Sequence, residues 1–258
     1  MQTTPKYRLL FLLTESGSLL NFQGSKKWLE QNLEENAQIL NAEFVICLDT
    51  FAENPGNLFM HVSKPPKEGT HVNKFYQLLK KKSQFYSTED NEKTMEGVHK
   101  KINLADTFLA WPHERFSMKR MSAFTLSSVK THTEPQRTTI FTDHSSTATV
   151  ESESNLNNVI LENIEVNTKI LAESLASFIF NFADADESPE EIFVGPLAIT
   201  QQTLKPYIGI ESMAKTLTVK MAFEKYLKNV KQTYDKPDLR EPDFMFYEGD
   251  EAKLNVYK

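Results

Sequence analysis

The chain has 258 residues, 40% of them hydrophobic and 25% charged, and a net charge of −6 at pH 7. This composition suits one large globular domain or a domain with an appendage, argues against wholesale disorder, and gives no electrostatic case for binding nucleic acid. A single cysteine, Cys47, excludes an internal disulfide. It lies in an apolar run, 44–48, and reads as a buried, inert thiol.

In chain order, residues 9–13 (LLFLL) read as a buried strand. The run is too short for a signal peptide's apolar region and no cleavage signature follows it. It stands so near the first residue that the chain reads as part of a longer protein. A polar turn follows, and Gly24-Ser25 opens an amphipathic helix over 25–40 with Trp28, Leu29 and Leu33 on one face. Residues 44–49 read as an inner strand ending on Asp49, and 58–62 as a third strand after the turn Asn54-Pro55-Gly56. Apolar residues Phe75, Tyr76, Leu78, Leu79 and Phe85 predict a helix over 72–86, in which Lys80-Lys81-Lys82 reads as a solvated end. Residues 95–104 suit an edge strand and 123–126 a short inner strand. Val159, Ile160, Ile164, Ile170, Leu171, Leu175 and Ile179 mark a long helix over 155–182. Strands alternating with helices imply an α/β fold: three layers, with a mixed, largely parallel sheet covered by helices on both faces.

The last part differs in character. Residues 184–191 are acidic and broken by proline, and divide the chain into 1–183 and 184–258. A helix over 211–234 has a basic face of Lys215, Lys220, Lys225, Lys228 and Lys231, with Met213, Leu217, Met221, Phe223 and Leu227 as core or docking contacts. Pro237 and Pro242 then precede a short aromatic strand, 244–247. No apolar run approaches the ~20 residues of a membrane span. Neither a phosphate-cradling glycine loop, a Gly-x-Ser-x-Gly elbow nor an Asn-x-Ser/Thr sequon is present.

Few residues could carry chemistry. The strand–turn–Gly-Ser–helix unit over 7–30 resembles the one that holds adjacent metal-binding and general-base glutamates in M28-type zinc aminopeptidases. Counted back from Gly24-Ser25, those places fall on Ser18 and Leu19, which can neither ligate zinc as carboxylates nor take a proton from water. Asp49 matches the place of a zinc-binding aspartate, with helix capping or loop bracing as its other reading. Trp111-Pro112-His113-Glu114-Arg115-Phe116 resembles the stretch Ser-Asp-His-x-x-Phe of those enzymes. His113 and Phe116 match, Trp111 and Pro112 depart, and His113 reads as a hydrogen-bonded structural histidine or a pocket residue. His144 lies near the place of the last zinc-binding histidine, without the aspartate that usually follows. His61, His71, His99 and His132 have no ligand spacing. No catalytic, metal or cofactor residue is therefore assigned, and Ser18, Leu19, Asp49, His113 and His144 are read as vestigial positions.

Across 7–30, 44–69 (CLDT, HVSKPPKEGT), 99–127 (HKKINLADTFLAW, HERF, SAFTLS) and 226–248 (YLKNVKQTYDKPDLREPDFMFYE), the chain resembles the nicalin, or nicastrin-like, family. The resemblance implies an M28-like luminal domain of the endoplasmic reticulum, incomplete here at its N-terminal side, without zinc or peptidase activity. It also implies a single C-terminal membrane helix absent from this chain. Implied partners are a Nodal modulator-like protein, a small multipass membrane protein and the translocon. The implied role is a non-catalytic scaffold in multipass membrane protein biogenesis, with links to Nodal signalling and receptor assembly. On this reading the chain alone exposes sheet edges and is poorly stable, and the loop 111–116 and the helix 215–231 are candidate binding surfaces. The alternative is a zinc aminopeptidase with its other ligands upstream. A further one is a receptor-binding regulator that takes a peptide near Asp49 and His113.

Overall fold

A computed structural model describes residues 5–14, 17–35, 41–51, 57–87, 92–134, 137, 150–181 and 191–208; at 19, 33–35, 150–160 and 205–208 it describes the backbone alone. The chain divides into two compact units, Met1–Leu204 and Lys205–Lys258. His144, most of the acidic linker, the basic helix and the aromatic strand after it lie outside the described residues.

Four strands, β1 (Val45–Leu48), β2 (Asn57–Val62), β3 (Thr94–His99) and β4 (Ala123–Ser127), form one sheet in the order β1-β4-β2-β3. β1 runs parallel to β4 and β2 parallel to β3, while β2 and β4 are antiparallel. The described helices are α1 (Gln23–Glu35), α2 (His71–Phe85), α3 (His113–Met118), α4 (Val150–Phe180) and α5 (Gln201–Ile208). None of them is long and apolar enough to cross a membrane.

The period of two along each strand sorts the layers. Leu58, Met60 and Val62 of β2, with Phe124 and Leu126 of β4, face Phe75 and Leu79 of α2 and Ile170 of α4. Side chains of the other parity, Val45, Cys47 and Ala123, pack with Leu29 of α1, Phe116 of α3 and Met121. Helices thus cover both faces: β2 is apolar with little alternation, while β4 alternates Phe124 and Leu126 with the buried polar Thr125 and Ser127. Each large side chain buried in this way contributes about 1.5–3 kcal/mol. Thr70 starts α2, its hydroxyl accepting the N–H of Asn73 at 3.3 Å. Tyr76 of α2 lies so close over β3 that a Cβ on Gly97 would meet its hydroxyl at 3.2 Å.

Several expectations need correction. Residues 9–13 form no strand: nothing among the described residues pairs with them, and Leu10 and Leu13 are 71% and 75% exposed. Only Leu12 packs inward, against the Leu29–Phe116 cluster. An apolar run becomes a strand only where a ladder partner exists, and the pattern alone does not supply one. β1 stands at the end of the described sheet, so Asp49 follows an edge strand and not an inner one. β3 stops at His99 rather than running on to Leu104, and an Asx turn in which Asn103 accepts the N–H of Ala105 follows further along. The segment 111–116 is no open loop: His113 begins α3, and Trp111, His113, Glu114 and Phe116 are buried, so it offers little surface for docking.

Lys82 is no solvated helix end. It is buried and its Nζ lies 2.6 Å from Oε2 of Glu173, itself fully buried on α4. The other Glu173 oxygen accepts from Tyr86 Oη at 2.7 Å and from the N–H of Ile192 at 3.1 Å. One carboxylate thereby pins α2, α4 and the segment around residue 192 together, and draws both Lys82 and Tyr86 inward. Glu173→Ala should cost about 3–5 kcal/mol in urea unfolding, because it leaves a buried ammonium unpaired. Lys82→Met combined with Glu173→Leu should recover part of that loss, with the Tyr86 hydroxyl and the Ile192 N–H still lacking their acceptor. A loss as large in the double variant would contradict an unpaired ammonium as the main cost of Glu173→Ala.

Candidate functional site

β1 and β4 are parallel, so their C-terminal ends fall together, the place where α/β sheets tend to leave room for functional groups. Asp49 follows β1, its N–H donating to Leu126 O at 3.1 Å. Thr50 then adopts φ 48°, a left-handed conformation that strains a β-branched residue by about 1–3 kcal/mol. Neighbours hold it there. Its carbonyl accepts from the backbone N–H and the hydroxyl of Ser128 at 2.8 and 2.6 Å, and its own hydroxyl donates to Asp49 Oδ1 at 2.7 Å.

Arg137 closes over this strand end. Its Nε and Nη2 donate to Oδ1 and Oδ2 of Asp49 at 3.0 and 2.8 Å, a bidentate fork that takes both carboxylate oxygens. Nη1 donates to the carbonyl of His132 at 2.8 Å, and the guanidinium carbon lies 4.0 Å from the centre of the Trp111 ring. The arginine side chain is 2% exposed. Its backbone carbonyl accepts from Ser18 Oγ at 3.0 Å. Two of the expected positions, Ser18 and Asp49, therefore meet through a residue that no motif had singled out.

The turn that carries Ser18 is itself strained. After the 3-10 segment Ser18–Leu20, both Asn21 and Phe22 have positive φ, 52° and 54°, before α1 begins. Asn21 is clamped from three sides: its amide donates to Thr107 O, its side-chain oxygen accepts from the N–H of Leu109, and its carbonyl accepts from the Arg115 guanidinium. Leu19 lies in the same 3-10 segment, with its side chain outside the described atoms.

Two histidines complete the interior. His61 stacks on Trp111 with ring centres 3.7 Å apart, and its Nε2 donates to Val129 O at 3.0 Å, which fixes the tautomer. His113 lies between two hydroxyls, Nδ1 2.9 Å from Thr125 Oγ1 and Nε2 3.0 Å from Ser63 Oγ. Burial lowers His61 to about 4, with the nearby Arg137 charge adding to the effect, and lowers His113 to about 3, with His61 adding to it. Burial likewise raises the Glu114 carboxyl, whose Oε1 has no hydrogen-bond partner among the described residues. The Cys47 thiol is pushed up to about 12 by burial and by Asp49, as suits an inert side chain.

These residues do not fit a zinc centre. A catalytic zinc needs three protein ligands and an open fourth position, and no group of three His, Cys, Asp or Glu among the described residues is placed to hold a metal. Both Asp49 oxygens receive guanidinium protons, both His113 nitrogens face hydroxyls, and His61 Nε2 faces a carbonyl. At the turn, the Ser18 hydroxyl donates to the backbone carbonyl of Arg137.

Arg137 escaped the sequence reading, and His61 was set aside there for lack of ligand spacing. Nothing around Arg137 resembles a motif. His61 could have been found, because strand alternation puts it on the face opposite Leu58, Met60 and Val62.

A pH dependence follows from the two histidines. In the unfolded chain they take a proton near pH 6.5, but in the folded chain only near 4 and 3. The unfolded state binds more protons in between, so their contribution is complete above about pH 6.5 and is lost as pH falls, by up to about 1.4 kcal/mol per pH unit for each ring. His61→Gln, whose amide can still donate to Val129 O, should make this acid limb shallower in urea unfolding between pH 7 and 5. A wild-type stability that is flat over that range would contradict buried neutral rings.

No family model matches the sequence. The zebrafish (Danio rerio) protein named BOS complex subunit ncln is 36% identical over 276 residues, covering 100% of this chain and 47% of that protein. The human BOS complex subunit NCLN is 34% identical over 273 residues, covering 100% of this chain and 46% of that protein. Nicalin of Caenorhabditis elegans is 32% identical over 152 residues, 54% of this chain and 26% of that protein. Among solved structures, an aminopeptidase from Aneurinibacillus sp. strain AM-1 matches with a TM-score of 0.33 at 17% identity, covering 68% of this chain and 32% of that one. The chain spans about half the length of the curated vertebrate relatives it matches along its whole extent. It belongs to the nicalin family.

Proposed function

We propose that the chain is part of a non-catalytic scaffold subunit of an endoplasmic reticulum membrane complex. The observation that carries this reading is the alignment of all its residues with proteins named as subunits of the BOS complex. The site's geometry supports the non-catalytic half of it. Water activation at a zinc peptidase centre requires a carboxylate that can ligate metal and another that can take a proton. Here Asp49 is committed to Arg137, and Ser18 to a backbone carbonyl.

In this role the strained turn over residues 18–22 and the strand end at Asp49 serve to hold shape, and binding falls to the outer surfaces. The partners are a Nodal modulator-like protein and a small multipass membrane protein beside the translocon. The complex faces the lumen and assists multipass membrane proteins, with effects on signalling and receptor assembly. A C-terminal membrane helix of the parent protein anchors it.

Affinity purification of the tagged parent protein from gently solubilised membranes tests this proposal. Recovery of the Nodal modulator homologue together with translocon components is the expected result. A protein recovered alone, or one that releases amino acids from peptides in a zinc-dependent assay, would overturn it.

A further inference from the structure

Inside the zinc peptidases that this fold resembles, a metal ion supplies the positive charge at the strand ends. The donor set in this chain does not fit that ion, yet the place is not left without a cation. We propose that Arg137 is the resident cation of this site: its guanidinium, and no metal, occupies the ligating face of Asp49 and locks the strand end to the turn at Ser18. The inference rests on the non-catalytic reading and deepens it.

Three features make the position specific for a guanidinium. The carboxylate is met by two parallel donors, Nε and Nη2, at 3.0 and 2.8 Å, a match that a planar fork makes and a spherical ion or an ammonium does not. A third donor, Nη1, reaches the His132 carbonyl at 2.8 Å. The guanidinium carbon lies over Trp111, 4.0 Å from the ring centre, where a π surface favours positive charge. Carboxylate, carbonyl and indole thus form a receptor shaped for one guanidinium.

Burial gives the arrangement its force. A guanidinium that is 2% exposed depends on its partners, and removing either member of the pair leaves the other uncompensated. The neighbouring rings conform to a cation already in place. His61, stacked on the same indole, and His113 beyond it stay neutral well below pH 6, so no second positive charge competes with Arg137 from that side. Arg137 also reaches the turn through its own carbonyl, which accepts from Ser18 Oγ. The arginine therefore links the place of the missing base to the place of the missing metal.

If this is right, Arg137→Ala leaves an empty receptor that a free guanidinium can fill. The test is chemical rescue in the full chain, read as Tm. Arg137→Ala should lower Tm by roughly 8–15 °C, as expected for breaking a buried pair in a chain of this size. Methylguanidinium at millimolar concentration should restore at least half of that loss, whereas methylammonium and zinc chloride should restore none. Asp49→Asn combined with Arg137→Ala should abolish the rescue, and Arg137→Lys, with charge but no fork, should fall between wild type and Arg137→Ala. Should Arg137→Ala fail to fold alone, methylguanidinium present during refolding should recover folded protein, and no recovery would overturn the proposal. Equal rescue by methylammonium, or rescue by zinc chloride that depends on Asp49, would also overturn it. Failure of rescue with the complex still recovered from membranes sinks the resident-cation claim alone. Zinc-dependent peptide cleavage by the wild-type parent protein sinks the non-catalytic reading with it.

Discussion

Where β1 ends, the carboxylate of Asp49 meets the guanidinium of Arg137 beside the ring of Trp111, and several of the surrounding polar groups bond to these same residues. Thr50 accepts a left-handed backbone so that its hydroxyl can reach the same carboxylate, and Ser128 holds Thr50 there with two hydrogen bonds to its carbonyl. His61 covers the indole, and Ser18 ties the far turn to the arginine's own backbone. Each of these contacts costs desolvation or strain. The ion pair at their centre is sensitive in its own right, since a buried charge without its partner is among the most destabilising features a fold can hold.

The sheet positions two such buried pairs. Lys82 and Glu173 lock α2 to α4 on one face, while Arg137 and Asp49 lock the strand end and the 18–22 turn at the edge beyond β1. Between them lie the apolar layers, Phe75, Leu79 and Phe124 on one side and Leu29 and Phe116 on the other. The apolar layers supply most of the stability, and the ion pairs decide which elements meet.

Much of the fold was legible in the sequence because the core strands and the long helices have strong periods. β2, α2, β4 and α4 fall close to where their apolar patterns place them, and the alternation of strands with helices predicts cover on both faces. What failed depends on contacts that no local pattern contains. Residues 9–13 are as apolar as any strand, yet their state is decided by the presence of a ladder partner. Lys82 reads as surface because lysine usually is, and only Glu173, 91 residues away, explains its burial. At the site, Asp49 and His113 were singled out through a resemblance in spacing. Arg137, which gives Asp49 its role, lies 88 residues from it and in no recognisable motif. The contact between Arg137 and Asp49 could be seen only in three dimensions.

The most direct measurement is an experimental structure of the parent protein, collected at the zinc absorption edge and read at the carboxylate of Asp49. The account predicts the planar guanidinium of Arg137 within hydrogen-bonding distance of both carboxylate oxygens, stacked on Trp111, with no anomalous peak beside it. An anomalous peak on Asp49 with Arg137 swung away would contradict it.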